Sequence, residues 1–135
     1  MSEKIELLLV EDDPIDRDGL TAVLTRSGFD VTTAETGEEA RQKMSEKMDV
    51  VVIDILLPTK TEYREEGIDL CREFKNKYPH IPIFIFTNLD MMPLVKQACM
   101  EAGAEEVIGK LTSGYELIER IKKILGKEEG GTKDE

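Results

Sequence analysis

The chain has 135 residues, of which 40% are apolar and 35% are charged, and it carries a net charge of −11 at pH 7. This length suits one domain around one core. The negative charge argues against direct binding of nucleic acids, whose phosphates would be repelled. The apolar runs are too short to span a bilayer, and residues 1–6 lack the apolar stretch of a signal peptide. We therefore expect a cytoplasmic protein that binds a cation or a basic protein partner, with no membrane attachment.

The first predicted strand spans residues 4–10 and is apolar over most of its length. Three acids follow it: Glu11, Asp12 and Asp13. Asp13 is a suitable N-cap for a helix with Pro14 at its first position, and Gly28 is expected to end that helix. A short second strand is predicted over residues 29–34.

The next helix is expected to begin at a capping box formed by Thr36 and Glu39. After it, four consecutive β-branched residues (50–53) lead directly into Asp54. A strand that is apolar on both faces belongs in the middle of a parallel sheet covered by helices. Since ligands of open α/β sheets bind at the carboxyl ends of the strands, Asp54 is delivered to the edge where a site is expected.

A polar, irregular segment (59–67) follows, and then a helix is predicted over residues 68–78. The fourth apolar strand (83–86) ends on Thr87 and Asn88. Asp90 is expected to cap the fourth helix, which Gly103 ends.

The fifth strand (105–109) is followed by Lys110, and Ser113 with Glu116 suggests another capping box. The two cysteines, Cys71 and Cys99, lie in helical segments without metal-type spacing. We expect them to be reduced core residues.

This βα alternation, repeated five times, predicts a parallel sheet with helices on both faces and right-handed crossovers. Polar residues follow four of the five strands, and all of them can face one crevice: Glu11, Asp12, Asp54, Thr87 and Lys110. Clustered carboxylates repel each other unless a cation joins them, and all-oxygen ligands favour Mg²⁺. An aspartate can also act as a nucleophile toward phosphorus.

From residues 4 to 125, the chain resembles the receiver domain of two-component response regulators. The shared pattern comprises the acidic pair after strand one, Asp54 with Pro58 four residues later, Thr87, and Lys110. The resemblance implies a flavodoxin-like (βα)5 three-layer sandwich with a five-stranded parallel sheet in the order 2-1-3-4-5. It also implies a receiver domain over residues 1–126, and we expect 127–135 to be a polar, disordered tail.

By this resemblance, Asp54 would accept phosphate from a histidine kinase or a phosphotransfer protein. Asp12, Asp54 and the Leu56 carbonyl would bind Mg²⁺ directly, and Glu11 would do so through water. Contacts to the phosphoryl oxygens would come from two residues, Thr87 and Lys110. Such a domain is not an enzyme in the usual sense, because it catalyses only its own phosphorylation and dephosphorylation. It would signal by binding a downstream protein, as a monomer or weak dimer.

The chain departs from the family pattern at four places. Gly67 stands nine residues after Pro58, where the family has about four, so the segment beside the site carries an insertion that we expect to be mobile or to contact a partner. Leu111 replaces a proline and Asn88 replaces a small residue. At the position of the switch aromatic that works with Thr87, the chain has Val107.

Two leucines, Leu56 and Leu89, occupy the positions that flank the path of the hydrolytic water in this family. Leucine has no polar atom with which to orient that water, so we expect a long-lived aspartyl phosphate.

Two other functions stay open at this point. One is a Mg²⁺-dependent phosphohydrolase with an aspartyl nucleophile, although that class has a second aspartate where Leu56 stands here. The other is a receiver-like binding module that is never phosphorylated.

Overall fold

The computed structural model describes residues 4–58, 63–64 and 66–127. Within these residues the strands are β1 (Ile5–Val10), β2 (Phe29–Ala34), β3 (Val50–Ile53), β4 (Leu57–Pro58), β5 (Tyr63–Arg64), β6 (Ile83–Thr87) and β7 (Glu106–Gly109). The helices are α1 (Pro14–Arg26), α2 (Gly37–Lys43), α3 (Glu66–Lys77), α4 (Pro93–Glu101) and α5 (Gly114–Leu125). The predicted tail from residue 128 onward lies outside the described residues, and its disorder stays a prediction.

Five strands form one parallel sheet in the order β2-β1-β3-β6-β7. When the two hairpin strands β4 and β5 are left out and the five sheet strands are numbered along the chain, their order is the predicted 2-1-3-4-5. The predicted flavodoxin-like fold is therefore confirmed. The central strand is β3, where Ile53 lies between Val10 on one side and Ile85 on the other. All four residues of β3 are buried, as expected for a strand covered on both faces.

Alternate residues of the central strands supply two separate cores. Leu8 and Ile53 belong to a cluster with residues of α2, α3 and α4. Leu7 and Val52 belong to a second cluster with residues of α1 and α5 on the opposite face. This alternation follows from the two-residue period of a strand, and it produces the three-layer sandwich.

Most of the predicted helix ends are confirmed. The Asp13 carboxylate accepts a hydrogen bond from the Ile15 N–H, and the Thr36 hydroxyl accepts one from the Glu39 N–H. Gly103, directly after the Ala102 C-cap, has a φ of 104°, a value that glycine adopts without strain. Cys71 and Cys99 are both buried, in agreement with their prediction as core residues.

Two predicted caps are wrong in detail. The fourth helix begins at Pro93 with Met92 as its N-cap and no side-chain capping bond, because residues 89–92 first make a tight turn. Asp90 instead lies against Gly109, where a Cβ would come within 2.4 Å of its carboxylate.

At α5, the Ser113 hydroxyl accepts from the Tyr115 N–H and so caps the helix. No reciprocal capping box forms there, because the Glu116 carboxylate accepts a hydrogen bond from Arg120 Nε at 2.8 Å.

The segment after Asp54 contains a short antiparallel hairpin that joins Leu57 to Arg64 and Pro58 to Tyr63 in the backbone. The predicted irregular segment is thus partly regular, although residues 59–62 and 65 lie outside the described residues. The following helix begins at Glu66, two residues earlier than predicted. No described helix combines the length and the apolar character needed to cross a membrane.

Candidate functional site

Three carboxylates meet where β1 and β3 end. Glu11 and Asp12 follow β1, Asp54 follows β3, and the Asp54 N–H donates to the Val10 carbonyl at 3.0 Å, which aligns the two strand ends. Each of the three acids places a carboxylate oxygen within 4.8 Å of the others. Glu11 and Asp54 are buried, so water screens their mutual repulsion poorly.

The ammonium group of Lys110 joins this cluster from the end of β7. Its Nζ lies 2.6 Å from Glu11 Oε1 and 3.2 Å from Asp54 Oδ2, and its side chain is only 10% exposed. The backbone N–H of Lys110 donates to the Thr87 carbonyl at 2.9 Å, so the end of β6 positions the residue. One buried cation thus offsets the charge of two buried carboxylates.

The proton affinities of the site reflect burial first and the lysine second. Burial raises the pKa of Asp54, while Lys110 and hydrogen bonds from the Ile55 N–H and the Thr87 hydroxyl oppose that rise. Burial also raises the pKa of Glu11 to about 7 against the opposing effect of Lys110. Burial works to lower the pKa of Lys110, but its bonds to acidic neighbours outweigh burial and hold that pKa above its usual value.

Thr87 completes the group at the end of β6. It is fully buried, its hydroxyl contacts the Asp54 carboxylate, and its Oγ1 accepts from the Leu89 N–H at 3.2 Å. All five polar residues expected at strand ends are therefore together around Asp54.

The ligand set of the cluster fits a hard divalent cation. Its three carboxylates offer oxygen donors only, and Mg²⁺ is bound by a few carboxylates together with retained waters. Because these acids lie close together and two of them are buried, their mutual repulsion is costly unless positive charge lies among them. A cation placed among them would supply that charge.

Comparison with known proteins agrees with this geometry. The family profile of the response regulator receiver domain matches residues 7–122. The chain belongs to the response regulator receiver family. In this receiver domain the acidic cluster, Asp54, Thr87 and Lys110 lie at the strand ends of the sheet.

Two curated relatives have different named activities. Over 104 residues, the chain is 39% identical to a cyclic di-GMP phosphodiesterase from Thermotoga maritima, covering 77% of this chain and 26% of that protein. Over 130 residues it is 35% identical to PhoP, the alkaline phosphatase synthesis transcriptional regulatory protein of Bacillus subtilis, covering 96% of this chain and 51% of the relative. The receiver thus spans about half or less of these relatives.

Solved receiver structures superpose closely on the fold. The BeF3-activated N-terminal receiver domain of RstA from Klebsiella pneumoniae is 31% identical, with a TM-score of 0.77 and coverage of 87% of this chain and 96% of that one. The receiver domain of the sensor histidine kinase PA1611 from Pseudomonas aeruginosa, which has a magnesium ion in its active-site cleft, is 25% identical. Its TM-score is 0.77, and the match covers 91% of this chain and 98% of that one.

The residues at the departures from the family pattern lie around the site in different environments. Leu56 is 40% exposed, whereas Leu89 is partly buried and packs on the core cluster that contains Leu8. Val107 also packs on that cluster and lies opposite Ile85 in the sheet. Leu111 is completely exposed.

The sequence analysis missed one residue of the site, Asp16. Its carboxylate lies 2.9 Å from Lys110 Nζ. A signal was present, because a side chain in the first turn of a helix tilts toward the helix N-terminus, and α1 begins beside the acidic cluster.

Proposed function

We propose that this receiver domain accepts a phosphoryl group on Asp54 from a phosphohistidine of a histidine kinase or phosphotransfer protein, in a Mg²⁺-dependent reaction. The observation that carries the proposal is the arrangement around Asp54. Its buried carboxylate is contacted by the Lys110 ammonium and the Thr87 hydroxyl, with Glu11 and Asp12 beside it. A lysine and a hydroxyl are donors suited to the oxygens of a transferring phosphoryl group.

For the metal, we assign Asp12, Asp54 and the Leu56 carbonyl as direct ligands and Glu11 as a ligand through water. The closeness of the carboxylate oxygens supports the acidic part of this set. The related receiver of the kinase PA1611 holds magnesium in its cleft, which supports the choice of cation. When bound, the metal supplies positive charge that lets an anionic phosphoryl group approach the carboxylates.

The remaining work falls to the side chains of the chain itself. A carboxylate oxygen of Asp54 forms a bond to phosphorus as the phosphorus–nitrogen bond of the donor breaks, and the electron pair of that bond stays on the imidazole nitrogen. Lys110, which donates to Asp54 before the reaction, then donates to a phosphoryl oxygen, as does Thr87. Because both donors are already placed by buried backbone, little reorganisation is needed.

For downstream signalling, we propose that the receiver domain binds a protein partner and does so as a monomer or weak dimer. The relatives named above include a transcriptional regulator and a phosphodiesterase, so similar receiver segments accompany different outputs. A phosphohydrolase activity is not favoured, since the half-exposed residue at position 56 is a leucine without a titratable group.

The test is incubation with acetyl phosphate, a small phosphodonor, followed by measurement of intact protein mass. We expect one added phosphate in the presence of Mg²⁺ and none when a chelator removes the metal. The adduct should be lost on treatment with hydroxylamine, which attacks acyl phosphates. A chain that stays unmodified with Mg²⁺ and donor in excess would contradict the proposal.

A further inference from the structure

Lys110 has a third acidic partner that the family pattern does not require. Asp16, in the first turn of α1, places Oδ2 2.9 Å from Lys110 Nζ. An ammonium group has three N–H donors. In this structure all three have a carboxylate within reach: those of Glu11, Asp54 and Asp16.

The three partners of Lys110 differ in their surroundings. The side chains of Glu11 and Asp54 are 5% and 10% exposed, whereas that of Asp16 is 42% exposed. Asp16 therefore holds the lysine from the open side of the site.

An acid in the first turn of a helix also stabilises the helix dipole by itself. Asp18 lies two residues further along α1. Its side chain is 80% exposed and forms an ion pair with Arg17 at 3.7 Å. The direct bond to Lys110 is what sets Asp16 apart from an ordinary first-turn acid. It also lowers the pKa of Asp16 and so keeps this carboxylate charged.

We propose that Asp16 is a positioning residue that holds the Lys110 ammonium at the mouth of the site and competes with a bound phosphoryl group for its N–H donors. This inference rests on the proposed function and assigns a regulatory residue to the same site. A phosphoryl oxygen must take a donor that a carboxylate now uses. While Asp16 keeps its bond, the lysine shares its charge between the phosphoryl group and an additional anion.

The contact has opposite consequences for the two ions that the site would bind. Removing the charge of Asp16 takes one negative charge away from the cluster, which weakens attraction for Mg²⁺. The same change leaves Lys110 free to donate more fully to an anion. A merely structural defect would instead weaken the binding of both ions.

The experiment compares wild type with Asp16→Asn, which keeps the shape of the side chain, and with Asp18→Asn, which makes the same charge change on the same helix. Mg²⁺ is titrated first, and its binding is monitored through changes in amide chemical shifts in NMR spectra. Beryllofluoride, a phosphoryl mimic that bonds to a carboxylate oxygen, is then titrated at saturating Mg²⁺. Asp16→Glu, which retains the charge, serves as a rescue variant.

In Asp16→Asn we expect beryllofluoride to bind roughly two- to fivefold more tightly and Mg²⁺ to bind more weakly, as suits an ion pair that is partly exposed. Asp18→Asn should change both affinities by less than about twofold, because its charge is screened by solvent. Asp16→Glu should restore the wild-type values.

Equal beryllofluoride affinities in Asp16→Asn and Asp18→Asn would overturn the role assigned to Asp16 but would leave the proposed function unaffected. Weaker binding of both ions in Asp16→Asn would also overturn it. A wild-type protein that binds no beryllofluoride would overturn the proposed function and this inference with it.

Discussion

Gly67 packs directly against the backbone of Asp54, the proposed phosphoacceptor. A Cβ at position 67 would lie 2.1 Å from the Asp54 carbonyl oxygen and 2.7 Å from the Ile55 Cα. The Gly67 N–H also donates to the Ile55 carbonyl at 2.8 Å. The first turn of α3 is thus fastened to the end of β3 despite the longer segment that precedes it. The glycine keeps its contact with Asp54, and the inserted residues are accommodated before it.

This contact predicts that Gly67→Ala is disruptive although the change adds only a methyl group. Backbone atoms cannot move aside as a flexible side chain can, so we expect a loss of about 1–3 kcal/mol in the free energy of unfolding. Gly19→Ala in α1 is the matched control, since no atom beyond its chain neighbours and the backbone of its own helix lies within 4 Å of its Cβ position. It should stabilise the protein by about 0.5–1 kcal/mol through the better helix propensity of alanine. Urea unfolding of both variants measures this, and equal stabilities would contradict the packing argument.

The assignment of metal ligands predicts unequal losses of Mg²⁺ affinity. Asp12→Ala removes a direct ligand, whereas Glu11→Ala removes one that acts through water, so the first should weaken Mg²⁺ binding more. Titration of Mg²⁺ into both variants is the measurement. Equal losses would show that the two acids have the same role.

The raised pKa of Glu11 predicts a pH dependence of stability in the absence of Mg²⁺. Its pKa is about 7 in the folded protein against an ordinary value of 4.5, so the folded state binds this proton more tightly than the unfolded state does. The resulting stabilisation is complete below pH 4.5 and is lost as the pH rises through 7. Its size is of the order of a few kcal/mol.

Denaturant unfolding between about pH 5 and pH 8 tests this slope for wild type, Glu11→Gln and the exposed control Glu38→Gln. The raised pKa of Asp54 acts in the same direction, so Glu11→Gln should reduce the slope and leave part of it. Glu38→Gln should retain the wild-type slope. If Glu11→Gln also retained it, Glu11 would be ionised throughout this range.

The two leucines near the site predict a slow loss of phosphate from Asp54. Leu56 is 40% exposed and offers no polar atom to an approaching water. Leu89, in contrast, packs on the core, so its contribution includes packing of the β6–α4 loop. Replacing both, by Leu56→Asn and Leu89→Glu, should speed the loss of phosphate at saturating Mg²⁺, with most of the gain coming from position 56. An unchanged rate in the double variant would show that the leucines do not shield the phosphoryl group.

The sheet was predictable from the sequence because its strands have strong local signals. The run that leads into Asp54 is short, β-branched and followed by Pro58, which favours a buried strand over a piece of buried helix. The sheet order follows from the family resemblance. Helix starts with a side-chain cap were predictable where the cap directly precedes the helix, as at Asp13 and Thr36. Asp90 failed as a cap because a turn and a proline come between it and α4.

The site was predictable as a set of residues and not as a set of bonds. Strand ends determined that Asp54 and Lys110 would be close, since the carboxyl ends of parallel strands share one edge. The Asp16–Lys110 bond depends on the orientation of α1 relative to the end of β7, and the two residues are 94 positions apart in the chain. Likewise, the contact of Gly67 with the Asp54 backbone depends on how the inserted hairpin closes. The first-turn position of Asp16 was a local signal for the former contact, whereas the latter has no local sequence pattern.

Locating the phosphate tests the central claim most directly. Wild type, Asp54→Asn and the control Asp18→Asn are treated with acetyl phosphate and Mg²⁺, and the modified residue is mapped by mass spectrometry after borohydride reduction of the acyl phosphate. We predict that wild type and Asp18→Asn carry one phosphate at Asp54 and that Asp54→Asn carries none. Uptake of phosphate by Asp54→Asn at the wild-type rate, or a label mapped to another residue of the wild-type chain, would contradict the account.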